Sequence, residues 1–464
     1  MLTLDSCRAL ALRNNKQLSI SRVKQEVAAN MRKSARTKYL PHVNALGGYE
    51  WTSREISILN NDQKSALNNL GTNLATGIQG GIAPYMQILP PALQQQLATD
   101  LTQVAGALNQ GGQRIANAFR TDTRNMFAGA IMVTQPIFMG GAIVAMNKLA
   151  AEGEKLAANS AEVNMQSTLY SIDQAYWQVV SLRHKQKLAQ SYVELVRKFD
   201  GDVQKMIQEG VATRSEGLSV QVKVNEAEMT LTKVNDGLVL SRMLLCQLCG
   251  LPVSEQVVLA DEESGNLETP VMAPVADAEL AVENRPELKM LQNVVDMSRQ
   301  ATNILKAGNL PQVMLMGGYA VSNPNVLNGF ERKFGGIWNV GVMVRVPVWN
   351  WGDVAYKVRA SKGATTIAHL ELDEAREKIE LQVSQCSFQV SEAVKKLEMA
   401  TSNTERAEEN LRTANLGFSE GVISPSTVLE AQTAWLQAQS EKIDAEIDVK
   451  LSEVNLQKAM GTLR

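Results

Sequence analysis

Residues 40–49 read LPHVNALGGY, and residues 310–319 read LPQVMLMGGY. The two stretches lie 270 positions apart and share a Leu-Pro start and a Gly-Gly-Tyr end. A second offset, of 211 positions, maps Glu209-Gly210-Val211 onto Glu420-Gly421-Val422. Because the offsets differ by 59, the first copy carries an insertion of that length between its two strands. The sequence therefore predicts a duplicated unit of helix, strand, loop, strand, very long helix, tight turn and helix.

The segment after Gly336 alternates between two kinds of side chain, as a β-strand does with period two. Apolar residues take one face: Trp338, Val340, Val342, Val344 and Val346. Small or polar residues take the other: Asn339, Gly341, Met343 and Arg345. The two offsets carry this alternation to three more segments, so we predict strands near 42–53, 123–135, 312–322 and 337–348.

One apolar face over about 10 residues is typical of outer-membrane barrel strands, although a soluble sandwich alternates similarly. A single-chain membrane barrel has at least about eight strands, whereas this sequence predicts four. Because an open sheet edge in lipid leaves backbone groups unpaired, membrane insertion would require several chains to pool their strands. Each predicted strand also has a proline at its border with helix, where proline removes a ladder donor and disfavours helix before it. The border prolines are Pro41, Pro136, Pro311 and Pro347.

The remaining segments are typical of long paired helices. No proline interrupts residues 143–209, which as one helix would reach roughly 100 Å. The helix after the turn has a heptad seam: Val224, Ala227, Leu231, Val234, Leu238, Ser241, Leu245 and Leu248. We therefore predict antiparallel coiled-coil hairpins over 143–249 and 353–460.

Each hairpin has a recognisable turn. Gly210 can end the first long helix in a left-handed cap, and Thr213 with Glu216 forms a capping box for the next helix. In the second copy Gly421 takes the capping role, Ser424 is the N-cap and Pro425 occupies the first helical position. We expect both turns to be compact, exposed tips.

Composition excludes several function classes. The formal charge is -2, from 46 basic and 48 acidic residues, so no nucleic-acid partner is indicated. Catalytic and phosphate-binding motifs are absent, so we expect neither an enzyme nor a cofactor or metal site. Cys246 and Cys249 form a Cys-x-x-Cys pair, which can indicate redox chemistry or half of a metal site. Because the pair lies in a predicted helix without a local histidine, we favour small apolar core residues.

The chain is expected to divide into a first repeat over 1–250, an inter-repeat linker over 251–277 and a second repeat over 278–464. The insertion occupies about 54–122 and is rich in Asn, Gln and Gly, with a helix expected near 91–105. The sequence starts without a basic, apolar leader pattern, so we expect either a cytoplasmic protein or a chain whose leader has been removed.

These features together resemble the TolC-like outer-membrane efflux proteins, also called outer membrane factors. The resemblance rests on the duplicated helix-strand-strand-helix unit, the Leu-Pro before each glycine-rich strand, Gln135-Pro136, Val346-Pro347 and the two Glu-Gly-Val turns. It covers nearly the whole chain apart from the insertion. It implies a mainly α fold with membrane β, in which a homotrimer forms a 12-stranded β-barrel continued by a long α-helical barrel of 12 helices.

The resemblance also implies a function. The expected role is the passive exit duct of a tripartite efflux pump or a type I secretion system, in a Gram-negative outer membrane with the helical tunnel in the periplasm. Expected partners are outer-membrane lipid, a periplasmic adaptor (membrane fusion protein) and, through the adaptor, an inner-membrane RND or ABC transporter. The insertion would then lie on the extracellular face, and the linker would wrap around the helical tunnel at its middle (equatorial) level. The leader would have been removed.

The resemblance assigns roles to residues at the tips. The adaptor-contact residues would be Gly210, Val211, Thr213, Gly421, Val422 and Ser424. The periplasmic gate would consist of Phe418, Ile423, Thr427, Glu430 and Glu216. The first three replace the family's usual tyrosine, arginine and aspartate, so an ionic latch is missing, and Phe418 with Ile423 would form an apolar closure beside Glu430. Two plain alternatives stay open: Glu216 is explained by capping alone, and Glu430 faces solvent.

Two other classes compete with the duct. A soluble or secreted coiled-coil scaffold accounts for the helices but leaves the strands and their prolines unexplained. An inner-membrane helical transporter needs several apolar spans that the sequence lacks. The cargo is not encoded in any recognisable motif.

Overall fold

The computed structural model describes residues 1–53, 71–72, 74–78, 80, 98–110, 124–254, 257–263, 278–325, 327–328 and 332–463. The first copy contains α1 (Leu4–Asn14), α2 (Lys16–Thr37), β1 (His42–Trp51), β2 (Asn125–Met139), α3 (Ala142–Gln208) and α4 (Arg214–Cys249). The second contains α5 (Ala278–Asn284), α6 (Pro286–Lys306), β3 (Gln312–Asn323), β4 (Gly335–Arg345), α7 (Asp353–Ser419) and α8 (Pro425–Ala459). This order confirms the predicted duplicated helix-strand-strand-helix fold.

Two compact units divide the chain. The helical unit comprises Met1–Lys33, Met146–Thr302 and Arg359–Arg464, and the strand unit comprises Ser34–Ala145 and Asn303–Val358. Each unit therefore takes part of its chain from both copies of the repeat.

The strand unit contains a four-stranded antiparallel sheet in the order β1-β2-β3-β4. His42 pairs with Thr134 in the first copy, and Gln312 pairs with Arg345 in the second. The offsets of 270 and 211 convert the first pair into the second, so both hairpins have the same register. Of the described strands, β1 pairs only with β2 and β4 only with β3, which leaves the outer edge of each without a neighbour.

The predicted alternation is confirmed across the whole sheet. Val43 lies opposite Val133, Ile131 opposite Tyr319, and Leu315 opposite Val342, which places all four apolar sets on one face. That face is exposed in the chain by itself; Trp338 retains 75% and Val342 64% of its accessible surface. A face this apolar and this extensive requires a covering phase or partner.

The border prolines divide into two groups. Pro41 and Pro311 stand directly before β1 and β3, as predicted. Pro136 differs, because β2 continues beyond it to Met139 with a register shift between Pro136 and Phe138. The β1–β2 pairing ends at Thr134, so Pro136 has β3 as its one neighbour and its missing N–H is tolerated as at a sheet edge. The strand β4 ends at Arg345, so Pro347 lies two residues beyond the strand and not within it.

The helical unit buries the heptad seam. Ala227, Leu238, Ser241 and Leu245 are buried, and the other seam positions are partly buried. Arg8 of α1 forms a two-pronged ion pair with Asp173 of α3, whose side chain is fully buried. The segment after α4 also joins this core, since Leu2 pairs with Leu259 in an isolated bridge.

Among the described residues, no helix is both long enough and apolar enough to span a membrane. Residues 98–110 are helical, which includes residues 98–105 of the helix expected near 91–105; residues 91–97 and most of the 54–122 insertion lie outside the described residues. The same holds for residues 264–277 of the predicted linker.

Candidate functional site

The first tip is a complete helix-ending motif. Gly210 has a φ of 78°. Its N–H donates to the carbonyl of Ile207 at 3.1 Å, and the N–H of Val211 donates to the carbonyl of Met206 at 2.9 Å. This pair of bonds is a Schellman motif, which satisfies carbonyls that the end of α3 would otherwise leave free.

A reciprocal capping box then begins α4, as predicted. The N–H of Glu216 donates to the Thr213 hydroxyl at 3.3 Å, while the Thr213 N–H donates to the Glu216 carboxylate at 2.7 Å. The Thr213 hydroxyl donates to the same carboxylate at 2.8 Å. These hydrogen bonds from Thr213 hold the pKa of Glu216 below its usual value, because they favour the ionised carboxylate.

The second tip repeats the first at an offset of 211. Gly421 has a φ of 73°, and its N–H donates to Phe418 at 3.0 Å. The N–H of Val422 donates to Gly417 at 2.8 Å, so the same Schellman motif ends α7. Ser424 caps α8 with a longer bond of 3.4 Å from the N–H of Thr427, and Pro425 supplies the first helical position. Since Thr427 stands where the first tip has Glu216, the second tip has no reciprocal box.

An apolar cluster lies beneath the two tips. Its buried members are Phe199, Val203, Val220, Ala414, Val428, Leu429 and Ala431. Phe418 and Ile423 are half-buried against it, and the rings of Phe199 and Phe418 lie 4.9 Å apart. Gly417 makes this packing possible, because a Cβ there would lie 2.5 Å from Cδ1 of Ile423. The two hairpins are therefore joined near their turns by their own apolar side chains.

Beside this cluster an open groove separates the starts of α4 and α8. Glu430 and Lys223 both line it, together with Ser426, Thr433 and Gln437. Glu430 and Thr427 are exposed, whereas Leu429 between them is buried. In the described part of the chain, no cluster of three or more His, Cys, Asp or Glu side chains could hold a metal ion. The tips thus present a carboxylate and apolar side chains to the surroundings.

Comparison with known proteins identifies the class. The family model described as outer membrane efflux protein matches residues 278–462. Outer membrane protein TolC of Vibrio cholerae serotype O1 is 22% identical over 349 residues, which span 73% of this chain and 77% of that protein. The second copy of the repeat therefore matches the outer membrane efflux protein family, and most of the chain is similar to TolC. The protein is a transport channel of a Gram-negative outer membrane.

Further relatives of this efflux protein agree with that assignment. Alkaline protease secretion protein AprF of Pseudomonas aeruginosa is 21% identical over 339 residues, spanning 73% of this chain and 70% of that protein. The solved structure of the CmeC outer membrane channel of Campylobacter jejuni matches with a TM-score of 0.74 at 14% identity. That alignment covers 99% of this chain and 85% of CmeC, so the fold extends over both copies of the repeat.

The predicted site residues of the efflux protein fall into three groups. Phe418 and Ile423 come together on the apolar cluster, Glu430 lines the groove beside it, and Glu216 is bound by Thr213 on α4. Val211 and Val422 protrude from the turns, with 67% and 82% of their surface accessible. The predicted tip residues therefore lie on the two turns, in the last turn of α7, or in the first two turns of α4 and α8.

Sequence reasoning missed Phe199 and Lys223. Phe199 supplies the aromatic partner of Phe418. Lys223 lines the groove of Glu430 and forms an ion pair with Glu226 at 2.8 Å. The repeat offers no signal for either residue, since the positions 211 further along are Asn410 and Ala434.

Proposed function

We propose that this efflux protein is a homotrimeric exit duct. Three copies would pool their strands into a barrel across the outer membrane, and the helical hairpins would continue the passage in the periplasm. The duct would be passive, without catalysis or cofactor, and would carry efflux or secretion cargo delivered by other proteins. A soluble scaffold does not fit the similarity to outer-membrane channel proteins.

The observation that carries this proposal is the open sheet. Its apolar face suits lipid, but β1 and β4 each have one unpaired edge among the described strands. In hydrocarbon, unpaired backbone groups cost several kcal/mol each, so an open edge must be paired. Pairing β4 of one chain with β1 of the next closes the sheet, and three chains with four strands each would provide 12 strands.

The duplication also supports the predicted division of the chain into repeats, linker and insertion. Equal register in the β1–β2 and β3–β4 hairpins supports two structural repeats, over 1–250 and 278–464, joined by the linker at 251–277. One chain then approximates two similar wall segments, and three chains would give six around the duct. An insertion at 54–122 lies in the β1–β2 connection, which supports an extracellular position if the β2–α3 end faces the periplasm.

The tips support docking to a periplasmic adaptor, which would link the duct to an inner-membrane RND or ABC transporter. Val211 and Val422 are apolar, protruding and equivalent in the two copies. Around them Gly210, Thr213, Gly421 and Ser424 supply rigid turns rather than flexible loops. A rigid apolar projection binds at a low entropic cost, because little needs to be ordered on contact. AprF is named for alkaline protease secretion, so a secretion pump is one option beside efflux.

The same tips would form the gate. Phe418 and Ile423 would provide the apolar closure, with Thr427 and Glu430 exposed beside them. A ring of three Glu430 carboxylates would attract cations and repel anions at the constriction. Glu216 differs, since its carboxylate is engaged by Thr213, so its contribution to the gate would come through the shape of the tip.

Fractionation and sizing test the duct. We expect the protein in the outer-membrane fraction, extractable only with detergent, and sedimenting as a trimer when the bound detergent is subtracted. Planar-bilayer recordings of the same material should show conductance steps. A monomer that stays soluble in buffer would refute the proposal.

A further inference from the structure

Three of the four cysteines lie in one apolar cluster of the helical unit. Cys7 belongs to α1, and Cys246 and Cys249 belong to the last turn of α4. All three have at most 1% of their surface accessible and are packed with Ile172, Tyr176 and Val179 of α3. Cys386 lies in a different cluster. The channel function described above uses none of these thiols.

Cys7 and Cys249 are in direct contact. The Cys249 thiol lies 3.7 Å from the carbonyl oxygen of Cys7, to which it donates. The two cysteines are therefore neighbours in one buried cluster, which is the proximity that a disulfide requires.

Neighbouring contacts hold α1 against the end of α4. The Asn15 side-chain amide donates to the carbonyl of Leu248 at 2.9 Å. Gly250 meets Asn14 so closely that a Cβ on the glycine would lie 2.6 Å from Cβ of Asn14. Together with the Arg8–Asp173 ion pair, these contacts place Cys7 beside Cys249 in the native fold.

We propose that Cys7 and Cys249 form a structural disulfide in the mature protein. An outer-membrane protein folds in the periplasm, which is an oxidising compartment where disulfides form and persist. The pairing also agrees with the repeat, since the second copy loses all three cysteines together and has Asp277, Gln457 and Met460 at those positions. The Cys-x-x-Cys spacing is then incidental, and the functional partner of Cys249 lies 242 residues away in the sequence.

The oxidation is a two-electron exchange with a disulfide-carrying oxidoreductase of the periplasm. One thiolate attacks the oxidoreductase disulfide, forming a mixed disulfide and releasing one thiol of that enzyme. The second cysteine, as thiolate, then displaces the enzyme's remaining sulfur, which leaves the Cys7–Cys249 bond and a reduced oxidoreductase. Because both thiols are buried in the folded chain, the exchange precedes the docking of α1.

The bond would fasten α1 to the end of the first hairpin. It would close a loop spanning most of the first repeat, and cross-links over long loops restrict the unfolded chain strongly. Oxidised protein should therefore melt at a higher temperature than the same protein after reduction with dithiothreitol. A Cys246–Cys249 bond would instead join two residues of one helix and leave α1 unfastened.

Peptide mapping tests the pairing. Protein from outer membranes is denatured with N-ethylmaleimide present, digested with trypsin without reductant, and analysed by fragmenting mass spectrometry. We expect the peptide ending at Arg8 to be joined to the peptide beginning at Met243, two hydrogens lighter than the sum of the separate peptides, with N-ethylmaleimide on Cys246 and Cys386. Fragment ions locate the bond at Cys249 in the wild-type protein, so the result does not depend on any variant folding.

Two matched variants complete the test. Cys246→Ser should retain the cross-link, and Cys249→Ser should lose it and leave Cys7 labelled. Labelling of both Cys7 and Cys249 in wild-type protein would overturn the proposal. So would a cross-link that Cys246→Ser abolishes and Cys249→Ser preserves. Neither readout depends on conductance, so failure here is distinguishable from failure of the duct.

Discussion

At the residue scale, the turn between strand and long helix requires left-handed backbone in both copies, but the two copies place different residues at these positions. Gly140 has a φ of 61° and Gly141 a φ of 84°; at the offset of 211, Trp351 has 55° and Gly352 has 80°. Left-handed backbone is unfavourable for a bulky residue, so Trp351 is strained. The Trp351 ring packs edge-to-face on Trp349, with centroids 5.7 Å apart, a contact that offsets part of the strain.

Alanine substitutions at Gly140 and Gly141 distinguish the cost of backbone strain from the cost of a steric clash. In Gly140→Ala, the new Cβ would lie 2.8 Å from the carbonyl oxygen of Ala307 and would also occupy a left-handed position. Gly141→Ala has the same backbone problem, but its Cβ would enter open space. We expect Gly141→Ala to cost about 1 kcal/mol and Gly140→Ala clearly more. Thermal unfolding of the detergent-purified protein by circular dichroism measures both; equal melting temperatures would contradict the assignment.

Glu430 allows the gate to be tested at one residue. We expect Glu430→Ala to change the conductance of reconstituted trimers and reduce their cation selectivity, because a ring of three carboxylates would be lost from the narrow end. Glu441 is the matched control: it lies 11 residues further along α8, which places it on nearly the same helix face about three turns away. Unchanged current and selectivity in Glu430→Ala, or an equal effect of Glu441→Ala, would remove Glu430 from the gate.

At the element scale, the sequence predicted the tips well because their chemistry is local. The capping box of Thr213 and Glu216 and the Ser424-Pro425 start both follow from residues within one turn. The extent of β2 was predicted less well, since Pro136 is tolerated only because β1 has already ended. The contact between Phe199 and Phe418 was not predictable, since it joins residues that are distant in sequence and is absent from the repeat pattern.

The two N-caps should differ in strength. Thr213→Ala removes a reciprocal box, whereas Ser424→Ala removes a single bond of 3.4 Å at a helix that already begins with Pro425. We expect a loss of about 1 kcal/mol of local stability for Thr213→Ala and a smaller loss for Ser424→Ala. Amide hydrogen exchange in the first turns of α4 and α8 measures this. Faster exchange in the Ser424→Ala tip than in the Thr213→Ala tip would contradict the ranking.

The first tip should also respond to acid. The pKa of Glu216 is lowered in the folded tip by hydrogen bonds from Thr213, so the ionised form stabilises the tip. That stabilisation is fully present above the usual pKa of a glutamate, 4.5, and is lost as the pH falls through the lowered pKa. Protection of the α4 start, corrected for the intrinsic exchange rate, should therefore decrease below about pH 4.5 in the wild type and stay constant in Glu216→Gln. A wild-type tip with pH-independent protection would exclude this role.

At the scale of the whole molecule, one chain provides a sheet that is regular but incomplete. Its two hairpins share one register and one apolar face, while β1 and β4 keep unpaired edges within the described strands. The sequence predicted the fold class because the duplication tests each strand twice. The alternation of apolar and polar residues did not predict how the sheet closes, because soluble and membrane sheets share that alternation. Edge pairing and lipid contact are properties of an assembly, and the sequence of one chain does not encode them in its alternation.

Lysine substitutions on adjacent residues of β4 distinguish the two faces of that assembly. Val342 belongs to the exposed apolar face, and Met343 faces the opposite side of the same strand. In a trimeric barrel, Val342→Lys places three charges in hydrocarbon, each costing about 2–4 kcal/mol near the bilayer midplane. Met343→Lys places its charges toward the aqueous interior, where they should alter ion selectivity and leave assembly intact. We therefore expect Val342→Lys to deplete the trimer from outer membranes while Met343→Lys inserts normally. If both variants insert equally, the apolar face does not contact lipid; if Met343→Lys alone fails, the two faces have been assigned the wrong way round.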